Sequence, residues 1–158
     1  MSRFVKIGAA ALFGALLISP APAAGVFSAF GGSYRGTGRV SDVNGKSESL
    51  TCRSTNAPAQ DGIAMNLALV CASDSYRVDF HADLYTDGQA LRGTWSENTK
   101  NVNGNVSGTI EPSVIRVTTT APGFGANIVI QVEKSGHLEI ALSATGTSIN
   151  HVQVSMRK

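Results

Sequence analysis

Cysteine, tryptophan and charge are all scarce in this chain. Two Cys among 158 residues exclude a disulfide-dense mini-protein, and 17 Gly with no three-residue period exclude a collagen-like rod. Charged residues make up 15% and hydrophobic ones 42%, which excludes a highly charged disordered chain. The longest uncharged apolar-rich run, Ile7 to Ile18, is twelve residues, too short to cross about 30 Å of hydrocarbon as a helix. An excess of one charge is lacking too. Thirteen Lys and Arg face eleven Asp and Glu, and Arg3 and Lys6 fall in a segment expected to be removed, leaving eleven of each sign. A neutral mature chain has no net field to hold phosphate backbones or anionic lipid, so neither a nucleic acid nor a membrane surface is expected as a partner.

Enzyme signatures are missing as well. Gly31-Gly32-Ser33-Tyr34-Arg35 ends in Arg where a nucleophile elbow requires Gly. There is no phosphate loop, no dinucleotide fingerprint and no histidine pair at metal-binding helical spacing. The expectation is a non-enzymatic protein with no cofactor.

The first residues announce a compartment. Met1 to Lys6 carries two positive charges, the apolar run follows, and Ser19-Pro20 breaks it before Ala21-Pro22-Ala23-Ala24. This is the pattern of a secretory signal peptide over 1–23, cut after Ala23 or Ala24. The domain is then 24–158, periplasmic or secreted.

Past the leader the hydrophobic period is two almost everywhere, with turn signals every eight to twelve residues. Tyr34, Gly36, Gly38 and Val40 share one face, and Leu67, Leu69 and Cys71 another. Val78, Phe80, Ala82 and Leu84 form a third row, Leu91, Gly93 and Trp95 a fourth. Phe124 to Val132, Leu138 to Ala144 and Val152 to Met156 continue the pattern. Asn44-Gly45, Asp61-Gly62, Asp87-Gly88, Asn103-Gly104, Pro122-Gly123, Ser135-Gly136 and Thr145-Gly146 read as turns. Strands with one apolar face each must bury those faces against one another, and short sequential connections favour antiparallel neighbours. The prediction is an all-β domain, a single antiparallel up-and-down β-barrel of about eight to ten strands, with a flattened β-sandwich as the alternative. Only Val26 to Phe30 offers a short helical turn.

In an oxidising compartment Cys52 and Cys71 are expected to form a disulfide. A hairpin centred between Asp61 and Gly62 pairs residues whose numbers add to 123, and Cys52 and Cys71 satisfy that condition. A bare two-residue turn puts the pair at a hydrogen-bonded, wider position of the ladder.

Candidate site residues divide into two groups. Tyr34, Phe80, Trp95 and Phe124 are inward aromatics suited to wall a pocket for a small apolar or amphipathic ligand. His81 stands between Asp79 and Asp83 on a polar strand face, where one carboxylate can orient the imidazole and the three together offer a partial metal site. A solvated outer face of mixed charge is the preferred explanation of that pattern, and no metal is expected there. The functional expectation is an exported barrel that binds a small apolar ligand. The alternative is a periplasmic protein-interaction module, an inhibitor or envelope accessory factor, acting through loops or an open strand edge.

Gly32-Ser33-Tyr34 opening the first strand and Arg157 on the last resemble the barrel-closing pair of calycins, the group of lipocalins, fatty-acid-binding proteins and avidins. There the aromatic is usually Trp and packs under the Arg. The mature chain also resembles small exported bacterial β-barrel proteins with no assigned activity. The calycin resemblance implies a closed barrel, a habit of binding small ligands and an approach of Arg157 to Tyr34 with Trp95 nearby. By strand parity, however, Arg157 should point outward.

Overall fold

The computed structural model describes residues 25–158; residues 1–24, and with them the expected leader, lie outside the described residues. Ten strands follow a short 3-10 helix at Val26–Phe30: β1 (Gly32–Asp42), β2 (Ser47–Ala59), β3 (Ala64–Ala72), β4 (Arg77–Asp87), β5 (Ala90–Glu97), β6 (Val102–Glu111), β7 (Val114–Ala121), β8 (Phe124–Val132), β9 (His137–Thr145) and β10 (Ile149–Arg157). Each strand pairs antiparallel with its chain neighbours, and β1 pairs with β10, so the sheet closes into an up-and-down barrel. Closure excludes the sandwich alternative and leaves no free strand edge among the described residues. No helix among the described residues is long and apolar enough to cross a membrane.

The two-residue period fixes which face turns in, and the predicted rows do so. Leu84, Trp95, Ile128, Ile130, Ile140 and Val154 are buried, whereas Leu69 and Phe80, expected to be buried with them, are only partly covered. Residues between them in sequence, such as Arg35, Thr37, Arg77 and Asp83, face outward and are exposed. An apolar interior and a polar exterior reverse the pattern of an outer-membrane barrel.

Inward glycines permit the coiling that closure demands. A Cβ on Gly36 would lie 2.0 Å from the Ser155 carbonyl oxygen of β10, so only glycine lets β1 curl against the last strand there.

Most turns fall where the sequence placed them, and two do not. Asp87 pairs with Ala90, so the β4–β5 loop is Gly88-Gln89, one residue later than predicted. Asn103-Gly104 is not a turn at all. The chain turns earlier, through residues 98–101, with Asn101 at φ 53°, and Gly104 pairs with Trp95 inside the sheet. A Cβ on Gly104 would lie 3.0 Å from Trp95 Nε1 and 2.0 Å from the Thr120 carbonyl. The glycine marks room for the indole rather than a reversal of the chain.

Cys52 and Cys71 are direct cross-strand partners and are disulfide-bonded, with Cα atoms 4.2 Å apart. This is the narrow, non-hydrogen-bonded spacing rather than the wider one set by a bare two-residue turn. Gln60, Asp61 and Gly62 all have positive φ, at 51°, 57° and 85°. With Gln60 left-handed the loop runs over residues 60–63, so regular pairing starts at Ala59 with Ala64 and continues unbroken to Thr51 with Ala72, which moves the phase of the alternation by one position relative to a two-residue turn. A bonded pair is compatible with an oxidising location outside the cytosol.

Candidate functional site

The barrel has two unlike ends. At one end the 3-10 helix tucks beneath the strands, and its three-residue repeat places Phe27 and Phe30 on the same face, both 0% exposed. A buried polar chain holds this plug. Ser54 Oγ donates to Asn56 Oδ1 (2.7 Å), Asn56 Nδ2 donates to the Phe30 carbonyl (3.0 Å), and the Tyr34 hydroxyl donates to the same carbonyl (3.1 Å). Burial pushes the Tyr34 phenol pKa above its ordinary value. Gly25 N–H donates to the Asp61 carbonyl at 2.9 Å, tying the start of the helix to the β2–β3 turn.

Lys158, not Arg157, covers the Tyr34 ring, with Nζ 5.5 Å from its centroid. Arg157 lies opposite Arg35 and His137 in the ladders and is exposed. Met156 is inward, so the parity of β10 turns Arg157 out, and the first residue past the strand reaches the ring instead. Trp95 sits near the far end of the barrel, on the last turn-proximal part of β5. The barrel therefore has the first-to-last strand closure implied by the calycin resemblance, but not its Arg–aromatic pair.

The opposite end has no such plug among the described residues, and its apolar side chains are only partly covered. Of the eleven partly buried hydrophobic residues packed on the core, ten lie toward this end: Leu69, Tyr76, Phe80, Val102, Ala121, Phe124, Leu142, Ala144, Ile149 and Val152. Three form one aromatic group. The Phe80 and Trp95 rings stack at 5.7 Å with an interplanar angle of 18°, and Phe124 tilts against Trp95 at 5.5 Å. Trp95 Nε1 donates to the Asn105 carbonyl at 3.2 Å, which satisfies the indole and fixes its orientation. The fourth aromatic candidate, Tyr34, is at the plugged end and does not join them.

Two carboxylates brace this rim. Glu97 Oε1 accepts from Asp79 N–H (2.9 Å) and from the Thr99 hydroxyl (2.6 Å), and Oε2 accepts from Lys100 N–H (2.7 Å). Burial pushes the Glu97 pKa up, but these donors outweigh it and hold the carboxyl below its ordinary value. Glu48 links two loops, pairing with Lys46 Nζ (2.9 Å) and accepting from Ser73 Oγ (2.8 Å). Hydrogen bonds from Lys46, Ser73 and Ser75 bring its pKa down to about 2.

The His81 cluster does not converge. His81 Nε2 meets Asp79 Oδ1 at 3.0 Å, whereas the Asp83 carboxylate accepts from Asn66 Nδ2 across β3. Among the described residues no three His, Cys, Asp or Glu side chains group as metal ligands.

Two depressions open on the outer wall. One, of about 370 Å³, is lined by His81, Asp83, Thr94, Ser96, Asn103 and Asn105 around Gly104. The other, of about 550 Å³, is lined by Thr37, Arg39, Ser49, Glu139, Gln153 and Ser155.

Sequence reasoning placed the short helical turn at Val26–Phe30 but missed its burial as a plug, and it missed most of the rim. Phe27 and Phe30 carried a signal in their spacing of three, just ahead of Gly31-Gly32. Tyr76, Val102 and Ile149 carried none, because their role depends on which end of each strand they occupy. No protein-family model matches the chain and no curated protein matches it, so its functional reading rests on the barrel's own geometry.

Proposed function

We propose that this protein is an exported, non-enzymatic β-barrel that holds the apolar part of a small apolar or amphipathic ligand at the end opposite the plug, against Phe80, Trp95 and Phe124. The observation that carries the reading is the asymmetry of burial. One end is sealed by two fully buried phenylalanines, while ten half-buried apolar side chains gather at the other. Apolar surface concentrated at the mouth of a closed barrel, beside a few fixed polar groups, is where such folds accept ligands. The aromatic rings give the ligand a flat wall, and the rim hydrogen bonds of Glu97 keep the 98–101 turn in place above it. The mature chain starts near Gly25 in this reading, after removal of the leader, and works in the periplasm or outside the cell.

Trp95 is the one tryptophan of the chain, which makes its emission a direct reporter. Trp95 is already largely shielded, so titration with dodecanoic acid should change the intensity of that emission, through displacement of the rings packed on it, and saturate. Phe80→Ala should weaken the response roughly tenfold, as expected for losing about half of a phenylalanine's burial. Tyr34→Phe, at the sealed end, should leave it unchanged. An emission spectrum indifferent to the probe, or equal binding by Phe80→Ala, would refute the reading.

A further inference from the structure

The outer wall carries an arrangement that the mouth does not explain. On β10, β1 and β2, Arg157 stands directly opposite Arg35, and Arg35 directly opposite Arg53. Adjacent strands are about 4.8 Å apart, so three guanidinium groups start from Cα positions spanning roughly 10 Å in one row. Four residues further along β1, two repeats of the pleat past Arg35, Arg39 points to the same side. All four side chains are exposed.

Like charges placed directly across a sheet destabilise it, and nothing in the overall balance of charge calls for this crowding. None of the four ion pairs among the described residues includes any of these arginines; Arg116 and Lys46, by contrast, each have a carboxylate partner. Of the acidic groups, Glu139 lies nearby, opposite Ser155 on β10, but its ion-pair partner is His137, and Asp79, Asp83 and Asp87 are in line on β4. A second observation adjoins the row. The depression of about 550 Å³ is lined by Arg39 together with Thr37, Ser49, Gln153 and Ser155.

We propose that this wall binds a phosphate-bearing ligand, its phosphate held by the Arg157–Arg35–Arg53 row and its hydroxylated, uncharged part in the depression beside Arg39. Guanidinium groups offer paired donors that match phosphate oxygens. Three of them side by side suit a group with several acceptor oxygens better than a single carboxylate. Glu139 also lines the depression and is held by His137 at 2.8 Å. Its charge repels an anion there and favours the row, which leaves hydroxyl and amide donors for the neutral portion. The same chemistry is offered by a soluble phosphorylated polyol and by a glycerophospholipid headgroup.

Two probes separate those sources: glycerol 1-phosphate in solution, read by calorimetry, and phosphatidylglycerol vesicles, read by co-sedimentation against phosphatidylcholine vesicles. Binding of the soluble phosphate assigns a free ligand, and binding of phosphatidylglycerol vesicles alone assigns a headgroup. Either should weaken with added salt, and Arg35→Gln should cost roughly tenfold in affinity. Arg92→Gln, on the far wall, should change neither. Because Arg35→Gln relieves a like-charge contact, its thermal midpoint should hold or rise. No binding of either probe at low salt, equal loss in Arg92→Gln, or a midpoint lowered by Arg35→Gln would each overturn the proposal.

Discussion

Replacing both cysteines, Cys52→Ala with Cys71→Ala, tests how the first hairpin is secured. The bridge spans 19 positions, and closing a loop of that size removes about 3 kcal/mol of conformational freedom from the unfolded chain in the chain-entropy account. For a domain of ~130 residues the unfolding entropy is roughly 2.1 cal/mol/K per residue, near 280 cal/mol/K in all, so the thermal midpoint should fall by about 10 °C. The folded state should change little. Both positions are buried on the inner face of β2 and β3, and the pairs on either side, Arg53 with Val70 and Thr51 with Ala72, hold the register without the bond. Scanning calorimetry and near-ultraviolet circular dichroism of the double variant, beside the reduced wild-type protein, measure the two quantities. A midpoint lowered by less than about 3 °C, or a near-ultraviolet spectrum lost below the transition, would refute the reasoning. The first result would mean that the unfolded hairpin is already constrained, and the second that the bond shapes the native core.

Phe30→Ala should cost about 3 kcal/mol, and amide exchange should quicken around residues 27–34 while Trp95 emission at the other end stays as it was; equal acceleration at both ends would show that the plug is not a separate unit. Acid should loosen the rim. Glu48 titrates near 2 in the folded protein and Glu97 below its ordinary value, so their contribution is complete above the unfolded carboxylate value near 4.5 and is lost as pH falls from there towards 2. The urea midpoint should therefore drop between pH 5 and pH 2, with Glu97→Gln flattening part of that slope. A midpoint constant over this range would contradict the hydrogen bonding seen at these carboxylates.

The strands, their inward faces and the disulfide were legible in the sequence because each depends on short-range rules. A period of two assigns a face whatever lies across the sheet, and a centred turn determines which residues meet across one hairpin, as Cys52 and Cys71 show. Asn103-Gly104 misled because glycine has two uses. The same residue that permits a turn also makes room for a large neighbour, and only the presence of Trp95 across the ladder decides between them. The ends of the barrel were beyond local rules altogether. Tyr34 and Trp95 are both inward aromatics in sequence, yet one lies beneath the plug and the other at the mouth: β1 and β5 run the same way, and Tyr34 sits at the start of its strand whereas Trp95 sits near the end of its own. The arginine row is the furthest case. Arg157 and Arg35 are partners only because β10 closes on β1, and closure of the sheet depends on the accumulated coil of all ten strands rather than on any segment of the chain.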